Sequence, residues 1–212
     1  GSNHAIATIV HARALGLDAG VILFPQPHSA WAAENAGAVI ASACEVVRLR
    51  SVIEVPFAGF AKARRELVMP PGGATPLGAF GAMSAVFELA EQIEDKLAPP
   101  PRQIVLAVGS TCTTAGLVAG FALAHAVGIW RWPVPIVHAV RVTPWPVTSR
   151  TLIVQLARRT LARLAKLGGP DVPLRDPRLV VDARELGRGY GRITPRATAA
   201  LDSLPVRLDG VY

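Results

Sequence analysis

The stretch IVLAVGSTCTTAGLVAG, residues 104–120, changes character twice along its length. Residues 104–109 are aliphatic and predict a buried strand, residues 110–114 form a hydroxyl-rich turn, and the apolar run from Ala115 predicts a helix. Such a strand–turn–helix unit presents backbone N–H groups and hydroxyls at the positive end of a helix dipole, which favours a phosphate or another anion. The same residue types are also typical of a simple helix cap. The turn lacks the Gly-Lys-Ser/Thr ending of a Walker loop, so it does not indicate a nucleoside triphosphate.

The composition is that of a well-buried globular protein. Of the 212 residues, 51% are hydrophobic and 17% are charged, which excludes a disordered chain and allows one ample core or two modest layers. The net charge is +7, but the basic residues are scattered and carry no nucleic-acid-binding motif. The densest group falls on one predicted helix, where it indicates a solvated face: Arg150, Arg158, Arg159, Arg163 and Lys166. We therefore expect no nucleic-acid partner.

The cysteines and histidines give no sign of a metal site. Cys44 and Cys112 fit no CxxC or zinc spacing, and no histidine pair has metal-ligand spacing. We expect no metal, reduced thiols and a cytoplasmic location. Residues 104–130 are uncharged over a length that would span a membrane, but the polar residues 109–114 favour a buried strand–turn–helix unit instead. No membrane partner is expected.

Strand and helix patterns alternate along the chain. Short aliphatic, largely β-branched runs predict strands at 19–24, 45–49, 104–109, 136–142 and 179–182. Helices are predicted from the N-terminus to residue 16 and at 30–43, 56–67, 77–97, 115 onward, 149–167 and 195–204. This order favours an α/β fold with a mainly parallel sheet. Ligands of such sheets lie beyond the carboxyl ends of the strands, so the loops there are candidate binding segments.

Five short motifs occur in a particular order: GSNH at 1–4, PGGATPLG at 71–78, GS-T-AGL within 109–117, GYG at 189–191 and LDGVY at 208–212. Together they resemble the pyridoxal-phosphate enzymes of the tryptophan synthase β type, above all the branch of D-cysteine desulfhydrase and 1-aminocyclopropane-1-carboxylate deaminase. The resemblance implies a three-layer α/β fold with mainly parallel sheets flanked by helices. It also implies a small cofactor-domain-like segment at 1–100 and a larger α/β segment, with the phosphate loop, at 101–212.

The same resemblance implies a set of cofactor contacts. Asn3 would hydrogen-bond the ring hydroxyl of pyridoxal 5′-phosphate. The phosphate would lie against the backbone and hydroxyls of one loop: Gly109, Ser110, Thr111, Cys112 and Thr113.

Substrate contacts are implied in the same way. Ser2, Tyr190 and Tyr212 would be catalytic groups that bind the substrate or move a proton. Ser2, His4 and Gly73 would contact the substrate. The implied reaction is β-elimination or deamination of a small amino acid, such as D-cysteine or 1-aminocyclopropane-1-carboxylate, giving a 2-oxo acid and ammonia. The cofactor would supply the electron sink. Dimerisation is expected from the resemblance alone.

The chain departs from the family pattern in three respects. Thr111 and Cys112 stand where family phosphate loops are richer in glycine, and Ala82 replaces a frequent aromatic residue. The Schiff-base lysine of the family lies upstream of the Ser-Asn-His segment, and the family's segment at the pyridine nitrogen follows the last residue. None of the three lysines, Lys62, Lys96 and Lys166, occupies a family cofactor position. We therefore expect a central fragment of such an enzyme, truncated at both ends, that is inactive alone.

Other functions remain open from the residues. A non-catalytic module would keep the phosphate loop without the lysine. An acyl or phosphoryl enzyme would use Ser110 or Cys112, but the sequence has no GxSxG elbow and no evident base. Cys112, close to the predicted helix start, is also a candidate for an activated thiolate.

Overall fold

The structure is a computed structural model that describes residues 3–26, 30–143, 147–184, 186 and 194–203. The described residues form two compact units, one up to Pro70 and the other from Pro71 onward. The predicted division into a small cofactor-domain-like segment at 1–100 and a larger α/β segment at 101–212 stays a prediction.

The first unit is a small α/β unit. Its elements are α1 (Asn3–Ala14), β1 (Val21–Leu23), α2 (Ala30–Ser42), β2 (Val46–Arg48), a 3-10 turn (Val52–Glu54) and α3 (Val55–Lys62). The strands β1 and β2 pair in parallel, and α1 packs on α2.

The helix predicted at 56–67 is shorter than expected. In the structure α3 ends at Lys62, whose ammonium group pairs with Glu45 and, at 3.0 Å, with Glu66. Beyond that point Leu67 is 99% exposed, so no packing supports a further helical turn there.

The second unit holds a three-stranded sheet. A 3-10 turn (Pro71–Gly73) precedes α4 (Pro76–Glu94), and then come β3 (Gln103–Val108), α5 (Cys112–Ala126), β4 (Ile136–Arg141), α6 (Arg150–Lys166), β5 (Leu179–Asp182) and α7 (Pro195–Ser203). The strands lie in the order β3-β4-β5, and both pairs are parallel. The predicted α/β fold with parallel sheets flanked by helices is confirmed.

Alternate residues of these strands face the helices. Ile104, Leu106 and Val108 of β3 belong to the core cluster or pack against it, whereas Gln103, Val105 and Ala107 are exposed. The helices α4, α5 and α6 pack on one another and supply most of the core. Its largest fully buried side chain, Trp130, meets Phe121 edge-to-face at 4.8 Å.

Two glycines let α5 lie unusually close to α4. A Cβ atom at Gly116 would stand 2.5 Å from the carbonyl oxygen of Ala79, and one at Gly120 would stand 2.8 Å from that of Met83. These contacts run in the same order along both helices, so α4 and α5 are parallel and their N-termini lie side by side.

The helix α6 is amphipathic, as predicted. Residues such as Ile153, Ala157 and Leu161 are buried, while Arg158, Arg159 and Arg163 are exposed. Ser149 caps the helix by accepting a hydrogen bond from the backbone N–H of Leu152. Within the described ranges, every helix is too short or too polar to cross a bilayer.

Candidate functional site

The loop that joins β3 to α5 leaves its helix N-terminus without a side-chain cap. The helix begins at Cys112, three residues earlier than predicted, because Thr111 turns the chain with a left-handed φ of 70°. Thr111 makes no capping hydrogen bond, whereas Thr75 caps α4 by accepting from the backbone N–H of Gly78. The first N–H groups of an α-helix have no acceptor inside the helix. The simple cap interpretation is therefore wrong for Thr111, and the N–H groups at the start of α5 point at a loop that can receive an anion.

The side chains of this loop divide between the interior and the surface. Thr111 and Cys112 are each only 7% exposed, so neither crowds the surface of the loop. Thr113 is exposed, and its hydroxyl has no hydrogen-bond partner among the residues that the structure describes. The loop thus offers a hydroxyl and backbone N–H groups on its open side, which is the donor set that a phosphate requires.

The loop packs against the 3-10 turn at Pro71–Gly73. Ser110 Oγ donates to the carbonyl oxygen of Gly72 at 3.4 Å, and Cys112 Sγ donates to that of Gly73 at 3.2 Å. A Cβ atom at Gly72, where φ is 65°, would stand 2.1 Å from Ser110 Cβ, so only glycine fits there. The structure therefore brings together Gly73, Ser110 and Cys112, which are predicted site residues from two separate motifs.

Cys112 is held as a neutral thiol. Burial raises the pKa of the Cys112 thiol, although the backbone N–H of Thr75 opposes this effect. The thiol proton is used in the hydrogen bond to Gly73. An activated thiolate at this position is disfavoured by both observations.

Two threonine side chains that no sequence motif singled out hold the start of the loop. The carbonyl oxygen of Gly109 accepts hydrogen bonds from Thr143 Oγ1 at 3.0 Å and from Thr148 Oγ1 at 2.6 Å. Both threonines lie between β4 and α6, at the same carboxyl edge of the sheet. Arg141, the last residue of β4 and the neighbour of Val108 in register, adds a positive charge to this edge. The position of these residues just after a strand that pairs with β3 was the signal available in the sequence.

Two predicted cofactor and substrate contacts belong to the first unit. Asn3 is the first residue of α1, and its Oδ1 accepts a hydrogen bond from Asn35 Nδ2 at 2.6 Å. The side chain of Asn3 is thus engaged by α2. His4 is partly buried, and its Nε2 atom has no hydrogen-bond partner within the described residues. The roles of Asn3 and His4 toward a ligand stay predictions.

The three predicted catalytic residues, Ser2, Tyr190 and Tyr212, lie outside the described residues. The GYG motif at 189–191 also lies outside them.

The comparison with known proteins identifies the family. The family described as pyridoxal-phosphate dependent enzyme matches residues 1–204. The chain belongs to this family.

Named relatives cover the whole chain. It is 34% identical over 226 residues to nocardicin C-9′ epimerase of Nocardia uniformis subsp. tsuyamanensis, with 100% of this chain and 65% of the relative covered. It is 27% identical over 224 residues to a putative 1-aminocyclopropane-1-carboxylate deaminase of Pyrococcus abyssi (strain GE5 / Orsay), of which it covers 62%. The crystal structure of an ACC deaminase homologue superposes with a TM-score of 0.67 at 26% identity, over 100% of this chain and 62% of that one. The chain therefore spans less than two thirds of the length of these relatives.

The loop at residues 109–113 has groups that fit the phosphate of the family's cofactor. Its helix N-terminus is uncapped, the Thr113 hydroxyl is exposed, and the buried side chains of Thr111 and Cys112 leave the open side clear. A surface depression of about 540 Å³ at the other end of α4 and α5, beside residues 90–95 and 127–131, contains none of the predicted site residues.

Proposed function

We propose that residues 109–113 hold the phosphate of pyridoxal 5′-phosphate, and that the protein deaminates or β-eliminates a small amino acid such as D-cysteine or 1-aminocyclopropane-1-carboxylate. The uncapped start of α5, with the exposed Thr113 hydroxyl beside it, is the observation that carries the proposal. Helix N–H groups stabilise a dianionic phosphate through charge-assisted hydrogen bonds and the helix dipole.

The reaction requires more than a phosphate site. When bound, the cofactor supplies the electron sink for bond breaking at the amino acid's α-carbon. Asn3 is proposed to orient the cofactor by hydrogen-bonding the hydroxyl group of the cofactor ring. Gly73 and His4 are proposed to contact the substrate, and Ser2, Tyr190 and Tyr212 to bind it or to move its protons.

The lysine that holds the cofactor covalently is proposed to lie outside these 212 residues. Lys96 follows the C-terminus of α4 and precedes β3, and Lys166 ends α6 before β5, so both lie at the sheet edge opposite the phosphate loop. The six residues of β3 alone separate the two edges by about 20 Å. Lys62 belongs to the first unit and is paired with Glu45 and Glu66.

The choice between an enzyme and a non-catalytic binding module depends on that lysine. The 212-residue chain is expected to form no covalent link with the cofactor. Borohydride reduction followed by mass spectrometry would detect such a link as a stable adduct on a lysine. A stable adduct on Lys62, Lys96 or Lys166 contradicts this expectation. In protein expressed from the complete reading frame, an adduct on another lysine supports the enzyme, and no adduct at all supports the binding module.

A second reaction is favoured by one observation. The relative at 34% identity is named an epimerase, and epimerisation also moves a proton at an amino acid's α-carbon without releasing ammonia. The two reactions separate when the cofactor-loaded, full-length protein is incubated in D₂O with D-cysteine, with 1-aminocyclopropane-1-carboxylate and with a larger amino acid that carries no β-leaving group. Ammonia and a 2-oxo acid support the proposed lyase or deaminase. Deuterium at the α-carbon with inverted configuration and no ammonia supports the epimerase instead.

A further inference from the structure

The peptide group that opens the phosphate loop is fixed by two threonine hydroxyls. Gly109 directly follows β3, and its carbonyl oxygen accepts from Thr148 Oγ1 at 2.6 Å and from Thr143 Oγ1 at 3.0 Å. The two hydroxyls also contact each other, and because each carries a single proton, the pair shares two protons among these three contacts. One carbonyl oxygen is thus held by a pair of side chains that lie 34 and 39 residues further along the chain.

The two residues that carry these hydroxyls, Thr143 and Thr148, each lie next to a regular element. Thr143 follows Val142, whose backbone N–H donates to the carbonyl oxygen of Val108 at 3.1 Å and so continues the pairing of β4 with β3. Thr148 is 0% exposed and directly precedes Ser149, the residue that caps α6. Neither threonine is therefore free to follow the Gly109 carbonyl if that peptide group rotates.

Fixing this carbonyl also fixes the next N–H group. In a trans peptide the C=O and N–H bonds point in opposite directions. The N–H of Ser110 is consequently directed away from Thr143 and Thr148. Rotation of the peptide group would take the carbonyl acceptor away from the two hydroxyls and leave one proton of the pair without an acceptor, which is unfavourable.

We infer that Thr143 and Thr148 are positioning residues for the cofactor's phosphate, because they hold the Gly109–Ser110 peptide group in the orientation that aims the Ser110 N–H at it. The inference rests on the proposed phosphate site at 109–113. It assigns a role in ligand binding to two residues of a different loop that need not touch the ligand. A donor held in place before binding loses little freedom on binding, so the hydroxyls increase affinity without a contact of their own.

The test compares two ligands that differ only in the phosphate. Dissociation constants of full-length protein for pyridoxal 5′-phosphate and for pyridoxal are measured by absorbance or fluorescence titration. Thr143→Val and Thr148→Val remove one hydroxyl each at nearly constant shape. Thr143→Ser and Thr148→Ser keep the hydroxyl. Thr160→Val is the matched control, because Thr160 is also 0% exposed but its hydroxyl donates to Leu156 within α6.

Each valine variant is expected to bind pyridoxal 5′-phosphate about tenfold more weakly, the effect of one lost hydrogen bond, while its affinity for pyridoxal is unchanged. The serine variants and Thr160→Val are expected to bind both ligands like the wild type. A merely structural role would instead weaken both ligands equally, and that result overturns the inference. Unchanged affinity for pyridoxal 5′-phosphate in both valine variants overturns it as well.

Two further outcomes are also decisive. Thr143 is only partly buried, so if Thr148→Val does not fold, the comparison of Thr143→Val with Thr143→Ser decides alone. If the wild type binds pyridoxal as tightly as pyridoxal 5′-phosphate, the phosphate site itself is wrong and the inference falls with it. That failure is visible in the wild type alone, so it is distinct from a failure confined to the variants.

Discussion

The close contact of α5 with α4 at Gly116 provides a quantitative prediction. Replacing Gly116 by alanine puts a Cβ atom 2.5 Å from the carbonyl oxygen of Ala79 and 2.6 Å from Ala82 Cβ, against an ordinary contact of 3.4–4 Å. Because Ala79 contributes backbone rather than a flexible side chain, α4 and α5 must separate. Overpacking of this kind costs about 1–3 kcal/mol, and a backbone contact belongs at the upper end.

The helix propensity of alanine offsets part of this unfavourable free energy, and a control variant measures that contribution alone. Alanine is favoured over glycine inside a helix by about 1 kcal/mol, so Gly116→Ala is expected to lower the free energy of unfolding by about 2 kcal/mol. Gly81 lies in α4, is exposed and has nothing within 4 Å of an added Cβ. Gly81→Ala is therefore expected to raise the free energy of unfolding by up to about 1 kcal/mol.

Urea unfolding followed by far-ultraviolet circular dichroism measures both variants under the same conditions. Because Gly116 lies one turn after the phosphate loop, Gly116→Ala is also expected to weaken binding of pyridoxal 5′-phosphate, whereas Gly81→Ala is not. If Gly116→Ala stabilises the protein as much as Gly81→Ala does, the close packing of α4 on α5 is refuted.

Three further predictions concern the loop and the sheet. Thr111→Gly is expected to be more stable than Thr111→Ala by about 1 kcal/mol in urea unfolding. Both variants lose the hydroxyl and the methyl group, but alanine keeps a Cβ atom, which the left-handed φ of 70° disfavours. The opposite order of stability contradicts that backbone conformation. Of the two cysteines, exposed Cys44 is expected to react quickly with a disulfide reagent, whereas buried Cys112 is expected to react only after unfolding. Burial also raises the pKa of the Cys112 thiol, which lowers its reactivity. Equally fast reaction of both thiols in the native protein would show that the loop is open. The Arg184 guanidinium and backbone N–H, together with His138, hold the pKa of Asp182 well below its unfolded value of 3.8. This pairing therefore stabilises the fold above about pH 4, and the stabilisation is lost as the pH falls toward the depressed pKa. Asp182→Asn is accordingly expected to be less stable than the wild type at neutral pH, with a difference that shrinks below pH 4 in acid-unfolding curves; a difference independent of pH contradicts the pairing.

Local patterns in the sequence predicted the elements well. The change from aliphatic to hydroxyl-rich residues at 109–110 places the end of β3 correctly, and the apolar run after Ala115 is helical. The first turn of α5 was missed because threonines are as typical of turns as of helix starts. The left-handed φ of Thr111 decides that boundary, and nothing in a threonine indicates such a conformation.

The motifs in the sequence indicated one contact between distant loops and missed another. The motif order indicated that residues 71–78 and 109–117 share a site, and the hydrogen bonds of Ser110 and Cys112 to Gly72 and Gly73 agree with it. Thr143 and Thr148 carried no such motif. A hydroxyl that holds a carbonyl oxygen 34 or 39 residues away depends on the register of β3 with β4 and on the start of α6, which only the folded chain defines.

The proposed phosphate site lies at the start of α5. Hydrogen–deuterium exchange of the full-length protein, with and without pyridoxal 5′-phosphate, reports directly on the backbone N–H groups there. We expect slower exchange of the N–H groups at residues 110–114 when the cofactor binds, and a much smaller effect when pyridoxal replaces the phosphate ester. Cofactor binding that leaves exchange at 110–114 unchanged while it slows exchange elsewhere would contradict it.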